Sequence, residues 1–400
     1  MSRFHPNLNI AIACGGTGGH LFPGLAVGRA LARFDCRVSL FVSTKGIDQK
    51  AVAGITDLSV VTLPAVALQD RNYLAFVRSM RDAWLASRAA FARNKPGAVL
   101  AMGGFTSFPV VMAGTSVGAA SFLHESNTIP GRANRLLAHW VDECFVGFPE
   151  AADRLWNPRV TWTGTPARDG FAIPNPTQIQ VGRQELGLDP ARPVLLVTGG
   201  SQGARGLNRL FLAALPELVT KFPELQYIHL TGEGDFEAAR IAHTKLACRS
   251  VVQPFLAGMT SALAAATAVV SRAGASSIAE LAAVRAPSLL VPLPTAQDNH
   301  QYYNALALES SGAALMRNQE SVVPGQFAQS IVALLSNPDL RRTLSDRIGA
   351  WHVADAAERI AARMLQTIGA DQRSEGPNRA GNSSPGMQVA RVKQLGEVAA

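Results

Sequence analysis

The chain has 400 residues, of which 48% are hydrophobic and only 16% charged, with a formal net charge of +8. That length suggests two domains, and that composition excludes a largely disordered chain. The positive balance suits anionic partners, phosphates or acidic lipid, while sparse aromatics and the lack of an RNA-binding or zinc signature argue against nucleic acid.

Asn9–Cys14 reads as a buried first strand. Gly15 to His20 (GGTGGH) follows, then an apolar-periodic helix over about Leu21 to Arg33, with Pro23 in its first turn. The turn is not a dinucleotide fingerprint, because its third glycine would fall at Leu21. The second strand, Arg37–Val42, leads into Ser43, Thr44 and Lys45 rather than an acid for an adenosine ribose. A nicotinamide dehydrogenase is therefore disfavoured, and no Walker lysine motif occurs either.

A two-sided helix is predicted over Asn72–Arg93. Tyr73, Phe76, Val77, Met80, Trp84 and Phe91 share one stripe, with Arg71, Arg78, Arg81 and Arg88 opposite or to the side. A core-facing helix with a solvated basic back is one reading; a surface touching anionic lipid is the other. From Pro96 to Leu123 there is no charged residue, but Gly103, Gly104, Pro109, Gly114 and Gly118 interrupt the run. A strand at Ala98–Ala101, a glycine turn and a buried helix through Val117 fit better than a membrane span. Strands follow at Ala120–Leu123, Cys144–Val146 and Val160–Thr163.

Asp169–Pro193 is proline-rich and loosely patterned, and reads as the passage between domains. Pro193–Thr198 then repeats the opening in kind: a strand, the turn Gly199 to Arg205 (GGSQGAR) and a helix with Leu207, Leu210, Phe211 and Ala214 on one face. Two similar open sheets are implied. Strands at Tyr227–Leu230 and Ser250–Val252 continue the second. The four cysteines, Cys14, Cys36, Cys144 and Cys248, lack CxxC spacing and read as reduced thiols.

The stretch from Val269 to Ala305 carries the densest chemistry. A short strand ends in Ser-Arg-Ala-Gly, a helix follows through Ile278, Leu281 and Ala282, and a strand at Ser288–Val291 leads to another helix opened near Asp298 to Gln301. Two strand-to-helix turns thus share one sheet edge, where parallel α/β proteins bind ligands. Amide N–H groups at a helix start suit a diphosphate, and Gly274 permits close backbone approach. Glu280 could accept both hydroxyls of a ribose, and Gln301 and Asn304, sharing one helix face, could bind sugar hydroxyls. The bland alternative is that Ser277 and Glu280, or Asp298 and Gln301, are capping boxes. After Asn337 a helical pattern runs to about Ile368. Residues 369–400 read mainly as a disordered tail, with a short helix at Met387–Ala400 as an option.

Six motifs then stand in order: GGTGGH at 15–20, MGGFTSFP at 102–109, HESN at 124–127, GTPAR at 164–168, GGSQGAR at 199–205, and SRAGASSIAE with QDNHQYYNA across 271–305. Together they resemble the MurG family of bacterial cell-wall glycosyltransferases over about residues 9–365. The resemblance implies an α/β GT-B fold: two Rossmann-like domains with parallel sheets facing across a cleft. The divisions would be 1–168, a linker 169–192, and 193–368 including the final helix. It implies transfer of N-acetylglucosamine, with inversion, from UDP-N-acetylglucosamine to the undecaprenyl-linked muramyl-peptide acceptor, lipid I, giving lipid II. It also implies a peripheral position on the cytoplasmic membrane face.

By position, Leu256 should meet the uracil through its backbone, Glu280 the ribose, and Ser201 phosphate. Arg272, Ala275, Ser276, Ser277, Gln301 and Asn304 should line the sugar and diphosphate. From the first domain Thr17, Gly18, Gly19, Asn127 and Arg168 should face the cleft. His20 is the first candidate base and Glu125 the second, with a phosphate-donating histidine as the alternative for His20. No Asp-x-Asp metal motif occurs, and no metal or other cofactor is expected. The family has HEQN, NPVR, and Tyr with a later Gly-Pro where this chain has HESN, TPAR, and Phe105 with Phe108-Pro109. Rival readings are another lipid-directed GT-B transferase, a non-hydrolysing UDP-sugar epimerase, and a non-catalytic membrane-docking partner of a transferase.

Overall fold

The computed structural model describes residues 7–16, 18–66, 72–200, 203–256 and 258–374. The first half contains β1 (Asn9–Ala13), α1 (Gly18–Ala32), β2 (Arg37–Ser43), α2 (Gly46–Val52), β3 (Ser59–Leu63), α3 (Tyr73–Arg93) and β4 (Ala98–Ala101). It continues with α4 (Ser107–Thr115), β5 (Ala120–Glu125), α5 (Arg132–Leu137), β6 (Glu143–Val146) and β7 (Val160–Trp162). Its seven strands lie in the order β3-β2-β1-β4-β5-β6-β7, and neighbouring strands are paired in parallel.

After α6 (Pro176–Glu185), the second half runs β8 (Val194–Thr198), α7 (Arg205–Lys221), β9 (Gln226–Leu230), α8 (Phe236–Lys245), β10 (Ser250–Gln253), α9 (Met259–Ala265) and β11 (Ala268–Ser271). Then come α10 (Ala275–Ala283), β12 (Ser288–Leu290), α11 (His300–Ser310), β13 (Leu315–Met316), α12 (Pro324–Ser336), α13 (Pro338–Gly349) and α14 (Ala356–Ser374). The six-stranded sheet, β10-β9-β8-β11-β12-β13, repeats the first in topology and is likewise parallel. The strand order reverses between β1 and β4 and again between β8 and β11. Such switch points part the flanking loops and open a crevice at the strand ends.

The central strands are apolar on both faces because helices cover both. Ile10, Ile12, Val38 and Leu40 face one layer of the first sheet, while Ala11, Ala13, Phe41 and Val99 face the other. The alternation follows the two-residue repeat of a strand. The charge-free run from residue 96 to 123 is β4, α4 and the start of β5, all buried core elements.

Several details depart from the sequence reading. The linker is not structureless: it holds α6, started by a capping box between Asn175 and Gln178. The helix α14 follows the second half in the chain, yet Ile360, Ala361, Met364 and Ile368 enter the core of the first sheet beside Ile10 and Val27. Its apolar stripe is buried there, so by packing this helix belongs to the first half. Helix α1 begins three residues earlier than predicted, which puts Pro23 inside it. A proline cannot donate to the carbonyl four residues back, here Gly19. On α3 the predicted stripe is split. Phe91 is buried and packs edge-on to Phe41 at 5.4 Å, while Met80 and Trp84 pack partly on the core. Tyr73, Leu74 and Val77 instead stand 61%, 83% and 63% exposed. The predicted companion Arg71 and the segment 375–400 lie outside the described residues.

Candidate active site

The carboxyl ends of the two sheets meet, and the two strand-to-helix turns that open α1 and α10 face one another. Ser276 Oγ donates to the Gly19 carbonyl at 3.2 Å. That carbonyl is the one Pro23 leaves without its helical partner, so an irregularity in α1 supplies a bond between the halves. Two helix N-termini with amide N–H groups and partial positive charge therefore converge on the cleft.

Asn304 joins the same junction. It is fully buried, and its Oδ1 accepts from Thr128 N at 2.9 Å and Thr128 Oγ1 at 3.0 Å. Its Nδ2 donates to Asn127 Oδ1 at 3.0 Å and the Ala273 carbonyl at 3.1 Å. All four hydrogen-bonding positions of one amide are used, three of them by the opposite half. Further out, Arg135 and Arg132 pair with Asp298 at 2.7 and 3.6 Å.

Glu280 is buried on α10, and its Oε1 accepts from Arg168 Nε at 2.6 Å. Burial pushes its carboxyl upward and the arginine pulls against that. The Arg168 guanidinium lies over Phe22 and Phe171, 4.7 and 5.0 Å from their ring centres. The capping alternatives fail. Gly274 is the N-cap of α10 with no side-chain cap, and Ser277 lies within the first turn. Asn299 is the N-cap of α11, while Gln301 Oε1 accepts from Leu293 N at 3.1 Å.

Arg272 is buried and donates to the carbonyls of Val291 and Pro292 at 2.9 and 3.0 Å and to Gln319 Oε1 at 2.6 Å. Its Nε has no partner and no carboxylate pairs with it among the described residues. Burial lowers its pKa to about 10, so it stays cationic at neutral pH. An uncompensated buried charge is costly unless an anion joins it.

His20, in the first turn of α1, has its ring against the backbone of Gly103 and Gly104. A Cβ at Gly103 would lie 2.9 Å from the imidazole, and both glycines have positive φ. That clearance explains the paired glycines of the second loop. Burial holds His20 at about 4, opposed by Asp48 and reinforced by His300 and Lys45, so its imidazole is neutral at pH 7. Glu125 presents a different picture. Oε1 accepts from Asn127 N and Nδ2 at 2.8 and 3.1 Å, and Oε2 from Gly131 N and Asn134 Nδ2 at 2.9 Å each. Four donors engage both oxygens, so this carboxylate shapes the loop after β5. His124 is likewise spoken for, its Nε2 bonded to the Gly164 carbonyl at 3.0 Å.

The fold thus brings Gly18, Gly19, His20, Asn127, Arg168, Arg272, Ala275, Ser276, Ser277, Glu280 and Asn304 to one junction, with Gln301 at the start of α11. Leu256 is half-buried in the loop after β10 and packs on the second core. Thr17 and Ser201 lie outside the described residues. Sequence reasoning missed Asp48, whose Oδ2 accepts from Gly16 N at 2.7 Å, and Thr106, whose hydroxyl donates to the Gly15 carbonyl at 3.1 Å. Both brace the first glycine loop from elsewhere in the sheet. Only their small size and position just past a strand end hinted at it.

Two parallel Rossmann-type sheets closing on such a junction define the GT-B class. Residues 10–146 match the glycosyltransferase family 28 N-terminal domain, and residues 194–360 its C-terminal domain. The chain belongs to glycosyltransferase family 28 and, within it, to the MurG family. Its relatives include the UDP-N-acetylglucosamine--N-acetylmuramyl-(pentapeptide) pyrophosphoryl-undecaprenol N-acetylglucosamine transferase of Myxococcus xanthus, 32% identical over 94% of this chain and 99% of that protein. The transferase of the same name from Acidithiobacillus ferrooxidans is 36% identical over 90% and 98%. In fold the chain is similar to the crystal structure of Acinetobacter baumannii MurG, with a TM-score of 0.69, 24% identity, and coverage of 90% of this chain and 100% of that one. A UDP-N-acetylglucosamine 2-epimerase is similar in fold at a TM-score of 0.66 and 16% identity, covering 91% and 97%.

Replacing Asn304 by Ala strands three polar groups of the opposite half in a buried seam, at about 1–3 kcal/mol for each left unsatisfied. The halves should then separate more readily. Small-angle scattering of ligand-free Asn304→Ala should give a larger radius of gyration than the parent. Identical scattering curves would mean that the junction does not depend on this amide.

Proposed function

We propose that the chain is an inverting glycosyltransferase. It moves N-acetylglucosamine from UDP-N-acetylglucosamine to the C4 hydroxyl of the muramyl sugar of lipid I, giving lipid II for peptidoglycan synthesis. The carrying observation is the convergence of two helix N-termini on one cleft, beside a buried acid suited to a ribose and with the cationic Arg272 just before α10. Positive charge and oriented amides are what a departing diphosphate needs.

In this reading the second half takes the donor. Glu280 releases Arg168 and accepts the ribose hydroxyls, and Leu256 meets uracil through its backbone. Ser201, Arg272, Ala275, Ser276 and Ser277 hold the diphosphate, and Gln301 and Asn304 the sugar. Thr17, Gly18, Gly19, Asn127 and Arg168 face the acceptor side. The acceptor's C4 oxygen forms a bond to the anomeric carbon as the bond to UDP breaks, and UDP leaves with that electron pair. The hydroxyl proton passes to His20. A neutral imidazole can take it, whereas Glu125 already serves four donors. The epimerase alternative needs acids free around the anomeric centre; Glu125 is locked by four donors and Glu280 is taken by the ribose, so transfer is favoured.

No helix among the described residues is long and apolar enough to cross a membrane. The acceptor's lipid stays in the bilayer, since each buried CH₂ is worth roughly 0.8 kcal/mol. The protein therefore works peripherally at the cytoplasmic face. The exposed Tyr73, Leu74 and Val77 enter the interface, with Arg78 and Arg81 beside them for anionic lipid.

Glu280→Ala should weaken UDP-N-acetylglucosamine binding by about 1.5–3 kcal/mol, the scale of a charged hydrogen bond, as read by calorimetry. Unchanged affinity would move the ribose elsewhere. His20→Ala should lower turnover by roughly 10²–10⁴ while UDP affinity holds. A loss confined to UDP affinity would instead favour a phosphate-donating role. Changing Arg78 and Arg81 to Glu together should abolish sedimentation with anionic vesicles at low salt, and sedimentation at the parent's level would place docking on another surface.

A further inference from the structure

Asp48 sits in the first turn of α2, fully buried and outside the six sequence motifs. Its Oδ2 accepts three hydrogen bonds: from Gly16 N at 2.7 Å, Ser43 N at 3.2 Å and Ser43 Oγ at 2.5 Å. Its Oδ1 is buried with no partner, and no ion pair involves it, among the described residues. A carboxylate in such a place is expensive, because burial strips it of water and no cation repays the loss. Linking Ser43 to the glycine loop would need only a neutral acceptor. The charge calls for its own explanation.

The geometry points to Asp48 as a positioning residue for transfer, acting on His20 through the first glycine loop and through its charge. The inference rests on His20 being the base. Gly16 has φ +119 and stands two residues before α1, so the bond to its N–H sets how the chain enters that helix. Gly15 is pinned alongside: a Cβ there would lie 2.5 Å from Ser43 N, and Thr106 holds its carbonyl. His20 follows as the third residue of α1. Its ring is confined by Gly103 and Gly104, so a shift of the loop moves the imidazole directly.

The charged and titratable groups facing His20 are Asp48 from α2, Lys45 just before it, His300 from α11 and His124 from β5. Of these only Asp48 favours the imidazolium that forms when the acceptor hydroxyl gives up its proton. Lys45 and His300 oppose it. A buried negative charge near a base that turns positive in the transition state stabilises that state more than the ground state.

Asp48→Asn keeps shape and an acceptor for Gly16 but removes the charge. In the full-length protein, turnover of UDP-N-acetylglucosamine with lipid I should fall about 10–100-fold, the scale of a modestly misplaced or unsupported base. The donor KM should stay within about twofold, since the donor groups are untouched. The acid limb of the kcat profile should move to lower pH, because the group that raised the imidazole's proton affinity is gone. A lower melting temperature with kcat and the acid limb unchanged would overturn the inference, as would a loss carried wholly by KM. Ser43→Ala keeps the carboxylate and removes its shortest bond, which secures an answer where Asp48→Asn folds poorly. A kcat loss of about threefold or more at constant KM supports the inference and none overturns it. His20→Ala run in parallel separates the two claims. If it is inactive while both other variants turn over normally, only the role of Asp48 falls. If it stays active, the base assignment fails and this inference with it.

Discussion

One buried amide holds the two halves in register. Asn304 meets Thr128 and Asn127 across the cleft and Ala273 on its own side, and none of its hydrogen-bonding capacity is left over. Buried polar groups are tolerable only when satisfied, and these are satisfied only when the sheets face each other in this way. The Ser276 hydroxyl on the carbonyl freed by Pro23 works to the same end. Both contacts lie on the turns that would hold a donor, so cleft geometry and ligand recognition share the same atoms.

That sharing makes closure and binding competitive in detail. Arg168 takes one position on Glu280 Oε1 that a ribose hydroxyl can use, and Asn304 has no position free for a sugar while it serves as the seam. A donor that supplies hydroxyls and phosphates replaces contacts the protein otherwise makes with itself. The affinity observed for the donor is then a difference between two sets of hydrogen bonds. Arg272 is the exception. Its cation has carbonyls and an amide for company but no carboxylate, so it gains most from an arriving diphosphate.

Much of this was legible in the chain. Glycine turns after apolar runs marked β1, β4 and β8, and helix periodicity marked α1, α7 and α10. The repeat of strand, glycine turn and helix disclosed two like sheets. What stayed hidden depended on contacts between distant segments. The strand β13 has only two residues, too few to show a period, and β3 is a half-exposed edge strand with no glycine turn after it to mark it. The stripe of α14 gave its helical state but not the sheet it would cover. Asp48 resembled any acid near a helix start, and its burial arises only from the packing of α2 on β2. Glu125 lies in a tetrad that looks catalytic, yet its neighbours Asn127, Gly131 and Asn134 consume its lone pairs.

The chemistry asked of the site is modest in its parts: a neutral imidazole to take a proton and fixed donors for a departing diphosphate. Their joint result is one product. Purified protein incubated with UDP-N-acetylglucosamine and lipid I should yield a lipid carrying one added N-acetylhexosamine, with a β linkage to C4 of the muramyl sugar. Mass spectrometry and linkage analysis read both features. An unmodified acceptor, an α linkage, or conversion of the donor to its epimer without transfer would contradict the account.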